Sequence, residues 1–100
     1  MKEIDWSSLS FGYMKTDYNV RCWYRNGAWG EIEVSSEETL NIHMAATCLH
    51  YGQEAFEGLK AYRCPDGKVR VFRMDENAAR LQSSCRGIMM PELPTELFEA

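Results

Sequence analysis

The tetrapeptide Cys64-Pro65-Asp66-Gly67 lies between two runs of residues, Glu57 to Arg63 and Lys68 to Arg73, in which apolar and polar side chains alternate. Proline presets φ at the first corner of a tight turn and glycine accepts a left-handed corner, so the turn folds the second run back antiparallel to the first. In the first run Leu59 and Ala61 share one face and Lys60 and Tyr62 the other; in the second, Val69 and Val71 alternate with Arg70 and Phe72. A second signal of the same kind stands upstream. Asn26-Gly27 separates Val20 to Arg25 from Trp29 to Val34, and both turn residues tolerate positive φ, so another antiparallel pair is expected there. Two hairpins in 100 residues already favour antiparallel sheet over the longer crossovers that parallel strands need.

Helix signals follow the second hairpin. Ala78, Leu81, Cys85 and Ile88 recur at helical spacing and mark a narrow apolar stripe, with Asp75 placed to cap its start and Gly87 and Pro91 to end it. Arg80 sits about 100° round the helix from Leu81, at the margin of that stripe. Pro94 to Ala100 reads as the start of a further helix capped by Thr95, and its shortness leads us to expect that the chain continues in a longer protein. Ser35 and Glu38 match a capping box, but Thr39 to Ile42 propagates a helix poorly, so a loop or short strand is expected. Residues 1 to 19 carry no period and read as an irregular arm, leaving 20 to 100 as one small α+β domain, cut short at its C-terminal end.

Composition narrows the function classes. Apolar residues make up 45% of the chain and charged residues 26%, which suits a globular protein and not a disordered one. A net charge of −4 leaves no basic footprint for nucleic acid. The N-terminus lacks the apolar core of a signal peptide and no run is long enough to span a bilayer, so a cytoplasmic protein with no membrane partner is expected. The four cysteines are 26, 16 and 21 residues apart, without a C-x-x-C pair, so neither a metal site nor a disulfide framework is expected.

The candidate site centres on Leu49 to Arg63, which concentrates rings, glycines and glutamates. Tyr51 and Phe56 bracket Gly52 and precede Gly58, an arrangement that suits either a core or one wall of an apolar ligand pocket. Phe11, a large ring in a polar setting, either anchors the arm or adds to that pocket. Arg80 is either a solvated charge or a bidentate phosphate ligand, and spacing alone leaves both open. His50 lacks a neighbouring nucleophile or carboxylate and reads as structural. Glu54 and Glu57 would face opposite sides of a strand, which disfavours a carboxylate pair. Lys60 reads as an exposed strand-face lysine.

Taken together, LSFGYMKTDYNVRCWYRNGAWGE, LHYGQEAFEGLKAYR and VFRMDENAARLQSSCRGIMMPELP resemble, in order and spacing, the N-terminal part of the branched-chain amino-acid aminotransferases of pyridoxal-phosphate fold type IV. The resemblance runs from Leu9 to Pro94. It implies the small N-terminal α+β domain of that fold, largely antiparallel sheet with helices packed on it. It also implies transamination of Leu, Ile or Val with 2-oxoglutarate, amino acids and 2-oxo acids as partners, pyridoxal 5′-phosphate as cofactor and a homodimer in the complete protein. By resemblance Arg80 binds the cofactor phosphate, and Phe11, Tyr51 and Phe56 line the substrate pocket. Lys60 matches a position where the family carries Lys or Arg and is not its Schiff-base lysine. No catalytic residue is therefore expected in this segment, and the chain alone is expected to be inactive. The HYG and FEG elements also fit, more loosely, D-amino-acid aminotransferases and aminodeoxychorismate lyase, and a non-catalytic ligand-binding module is a further reading.

Overall fold

A computed structural model describes residues 12 to 100. They fall into two compact units, Met1–Ile42 and His43–Ala100. The first is built on the upstream hairpin, with β1 (Asn19–Arg25) and β2 (Ala28–Ser35) antiparallel and Asn19 opposite Ser35. Asn26 and Gly27 take φ of 53° and 79°, the two positive values that the tight two-residue turn demands. The register slips once between Cys22 and Tyr24, where Gly30 and Glu31 together oppose Trp23. Beyond the slip, Tyr24 and Trp29 pair edge to face across the strands, with ring centroids 5.1 Å apart. Ser35 does not cap a helix. Its hydroxyl accepts the Glu37 amide at 3.0 Å, and Thr39 to Ile42 has no regular structure, as its weak helix propensity implies.

The second unit begins with a single helical turn, α1 (Thr47–His50), and continues through an irregular stretch into β3 (Ala61–Arg63) and its antiparallel partner β4 (Val69–Val71). The hairpin stands where the turn signal places it. The Cys64 amide donates to Lys68, and Asp66 accepts both the Lys68 amide at 3.0 Å and the Arg70 guanidinium. Its strands are shorter than the alternation implies. Glu57 to Lys60 is not strand, because the Glu57 side chain and the Gly58 carbonyl are bound by helix residues, which draws the backbone out of the ladder.

The apolar stripe forms α2 (Met74–Gly87), followed by α3 (Thr95–Glu99), against which it packs. Ala78 and Cys85 from that stripe are the buried apolar residues among those described, while Ile88 at its end is 37% exposed. Both capping expectations need correction. Arg73, at φ 49°, is the residue before α2 and makes no side-chain cap; Asp75 lies inside the first turn, where it and Glu76 bind Arg73 and complement the positive end of the helix. Pro94 precedes α3, and Thr95 is its first residue, its hydroxyl turned to accept from Gln82. Among the described residues all pairing is antiparallel and the fold is α+β, as expected, with the sheet divided into two separate hairpins.

Candidate functional site

The chemistry-bearing residues of the second unit gather on the N-terminal half of α2. Asn77 and Arg80 are three residues apart, so they project from one side of the helix. Between them they hold Glu57. Arg80 donates through Nε to Oε2 at 2.8 Å and through Nη2 to Oε1, while Asn77 Nδ2 donates to Oε1 at 2.7 Å and to the Gly58 carbonyl at 3.1 Å. The Glu57 side chain is only 6% exposed, whereas that of Arg80 is 69% exposed. The Arg80 guanidinium holds the Glu57 carboxyl below the usual carboxylate range; removal from water opposes that shift and Asn77 adds to it. Arg80 is pushed further up in turn, so both partners stay charged.

A guanidinium has five N–H donors, and the fork to Glu57 commits Nε–H and one hydrogen of Nη2. Three remain at the outer end, in the geometry that suits an oxyanion with several acceptor oxygens. Arg80 stands out in the sequence, and its partner Glu57 does not. The signal was available in two places: a glutamate set between Phe56 and Leu59, and an Asn and an Arg one helical turn apart.

Tyr51 stands elsewhere in the unit. It borders an open hollow of about 380 Å³ with Thr47, Gln53 and Ile88. Gln53 ties that hollow together, accepting the Thr47 hydroxyl at 2.5 Å and donating to the Ile88 carbonyl at 2.8 Å. The turn after α2 is thereby joined to α1. The Tyr51 ring is 84% exposed and that of Phe56, next to Glu57, 91% exposed, so neither is a core residue of the chain as it stands. Phe56 does not border the Tyr51 hollow. Phe11 lies outside the described residues.

The remaining candidates are local. His50 makes a hydrogen bond between Nε2 and the Met44 carbonyl, six residues back, consistent with a structural role. Lys60 is exposed and precedes β3. The four cysteines are unpaired, and no group of three or more His, Cys, Asp or Glu residues converges on a metal position among the described residues. Among those residues no helix is long and apolar enough to cross a membrane.

Known proteins match this sequence over nearly its whole length. The chain is 49% identical over 98 residues to the branched-chain-amino-acid aminotransferase of Haemophilus influenzae, a match covering 98% of this chain and 29% of that protein. The enzyme of the same name from Helicobacter pylori is 47% identical over 98 residues, with the same coverage. The chain is homologous to the N-terminal part of branched-chain-amino-acid aminotransferases. A fungal relative, aminotransferase atnJ of Emericella nidulans, is 38% identical over 94 residues, 94% of this chain and 26% of that one. No family model matches the chain. The aminotransferase-like segment thus spans less than a third of the length of these relatives, and the Glu57, Asn77 and Arg80 cluster lies within the matched stretch.

Proposed function

We propose that these residues form the N-terminal part of a pyridoxal-phosphate-dependent aminotransferase that exchanges the amino group of Leu, Ile or Val with 2-oxoglutarate. The observation that carries the reading is the similarity to two branched-chain-amino-acid aminotransferases along almost the whole chain. The structure supports a role for this segment at the phosphate end of the cofactor. Arg80 offers three uncommitted N–H donors on an exposed side chain, which fits a phosphate and fits nothing apolar. When bound, pyridoxal phosphate supplies the electron-withdrawing ring that stabilises negative charge at the amino-acid α-carbon.

What this chain's own residues do is bind and exclude. Arg80 holds the phosphate. By the resemblance, Phe11, Tyr51 and Phe56 are the substrate-pocket residues, so that selectivity for a branched aliphatic group rests on shape and apolar contact. The exposure of Tyr51 and Phe56 is consistent with rings that are covered only when further protein and substrate are present. By the resemblance, Lys60 matches a position where the family carries Lys or Arg and is not the lysine that forms the covalent bond to the cofactor, so this segment shapes the site and lacks its reactive group. The complete protein is read as a cytoplasmic homodimer.

The test is a substrate panel on the complete protein carrying this segment. Amino transfer from Leu, Ile and Val to 2-oxoglutarate, with D-alanine and aminodeoxychorismate unused, is the expected outcome. Preference for either of the latter two moves the assignment to another branch of the fold type.

A further inference from the structure

The buried member of the Glu57 and Arg80 pair is the carboxylate, and the exposed member is the arginine. If the pair served only as a surface ion bridge, both ends would be solvated and neither would be fixed. Here the carboxylate is withdrawn from water and satisfied by three donors: Arg80 Nε, Arg80 Nη2 and Asn77 Nδ2. A carboxylate so placed is itself immobile, because every departure from these donors would leave it unpaired away from water. Asn77 adds a second constraint by also binding the Gly58 carbonyl at 3.1 Å, which fixes the backbone beside Glu57 to the same helix that carries Arg80.

The consequence falls on Arg80. A long exposed arginine samples many rotamers, but one whose Nε edge is forked onto a fixed carboxylate keeps its plane and direction. We infer that Glu57 is a positioning residue that holds the Arg80 guanidinium so that its outer end faces the phosphate of the cofactor. The inference rests on the reading of Arg80 as the phosphate ligand. Pairing gives up part of the arginine's attraction for a dianion and gains orientation, so the net effect on binding is a measurable quantity. The lowered carboxyl pKa of Glu57 keeps the fork charged through the neutral range.

The experiment measures affinity for pyridoxal 5′-phosphate and for pyridoxal, which lacks the phosphate, in the complete protein. The variants are Arg80→Ala, Glu57→Gln, the double variant, and Asn77→Ala. Arg80→Ala is expected to weaken pyridoxal 5′-phosphate binding by about 10- to 100-fold, the range of one or more charge-assisted hydrogen bonds. Glu57→Gln is expected to weaken it on the order of tenfold, to leave pyridoxal binding unchanged, and to add nothing in the Arg80→Ala background. Asn77→Ala, which removes one of the three donors and keeps the charge pair, is expected to give a smaller loss in the same direction and serves if Glu57→Gln does not fold. Equal losses for both ligands, or additive losses in the double variant, would reduce Glu57 to a structural residue and overturn the inference. If Arg80→Ala weakens phosphate-bearing cofactor and neither Glu57→Gln nor Asn77→Ala does, the positioning role fails while the phosphate assignment stands. If Arg80→Ala itself changes nothing, the phosphate assignment fails and the positioning role with it.

Discussion

Met89 offers a test of the architecture at the end of the site helix. After Gly87 the chain closes α2 with two bonds, from the Met89 amide to the Arg86 carbonyl at 3.3 Å and from the Met90 amide to the Cys85 carbonyl at 2.9 Å. That double closure requires a left-handed residue at Met89, whose φ is 60°, and glycine is the residue ordinarily found there. A side chain in this conformation costs roughly 1–2 kcal/mol, and returning to glycine forfeits roughly 0.5–1 kcal/mol through the freer unfolded chain. The Met89 side chain is 92% exposed, so truncation loses no burial. Met89→Gly should therefore stabilise the chain by about 0.75 kcal/mol, the midpoint of a difference spanning about 0–1.5, a rise in Tm of about 3–6 °C for a domain of this size. Thermal unfolding followed by far-ultraviolet circular dichroism reads the shift. Gly27→Ala is the converse control: Gly27 has φ 79° and open space around the new methyl, so the same two terms with opposite sign predict a net loss of about 0.75 kcal/mol. A lower Tm for Met89→Gly would refute the reasoning, since it would mean that the methionine makes contacts worth more than the strain. The bond from Gln53 to the Ile88 carbonyl makes the same turn matter to the Tyr51 hollow.

Three further outcomes are expected. Because Glu57 has its pKa lowered on folding, its contribution to stability is fully present above the unfolded value of about 4.3 and is lost as pH falls through the lower folded value; urea midpoints of the chain and of Glu57→Gln should converge as the pH is taken below about 4, and a constant gap between them would contradict the pairing. Tyr51, Phe56, Phe72 and Met89 are each more than four-fifths exposed, so the chain alone should self-associate as its concentration rises, and a monodisperse monomer by light scattering would count against that. Mixed with pyridoxal 5′-phosphate, reduced with borohydride and mapped by mass spectrometry, the chain alone should show no single favoured lysine; a specific adduct on Lys60 accompanied by turnover would overturn the assignment of the reactive group to residues outside this segment.

The hairpins were legible because their turns are local chemistry: Asn26-Gly27 and Pro65-Asp66-Gly67 need no tertiary partner to direct the chain back on itself. The length of β3 was not legible, since it is set by the bonds of Glu57 and Gly58 to a helix some twenty residues later. The apolar stripe of α2 placed Ala78 and Cys85 correctly inside, but the same pattern could not show that Asp75 would turn to Arg73 instead of capping the helix. Arg80 was visible as a charge at the margin of a buried face. Its partner was not, because Glu57 read as one residue of an alternating strand and left that strand in the fold. Tyr51 and Phe56 could be named from sequence as rings, but not placed: both stand exposed among the described residues, and Phe56 does not border the hollow that Tyr51 lines.

Cofactor dependence of amino transfer is the most direct test of Arg80 as the phosphate ligand. In the complete protein carrying this segment, turnover of leucine with 2-oxoglutarate should saturate with added pyridoxal 5′-phosphate, and Arg80→Ala should require about 10- to 100-fold more of it to reach half saturation. Turnover that needs no pyridoxal phosphate, or an Arg80→Ala protein that saturates at the same concentration as the parent, would contradict that role.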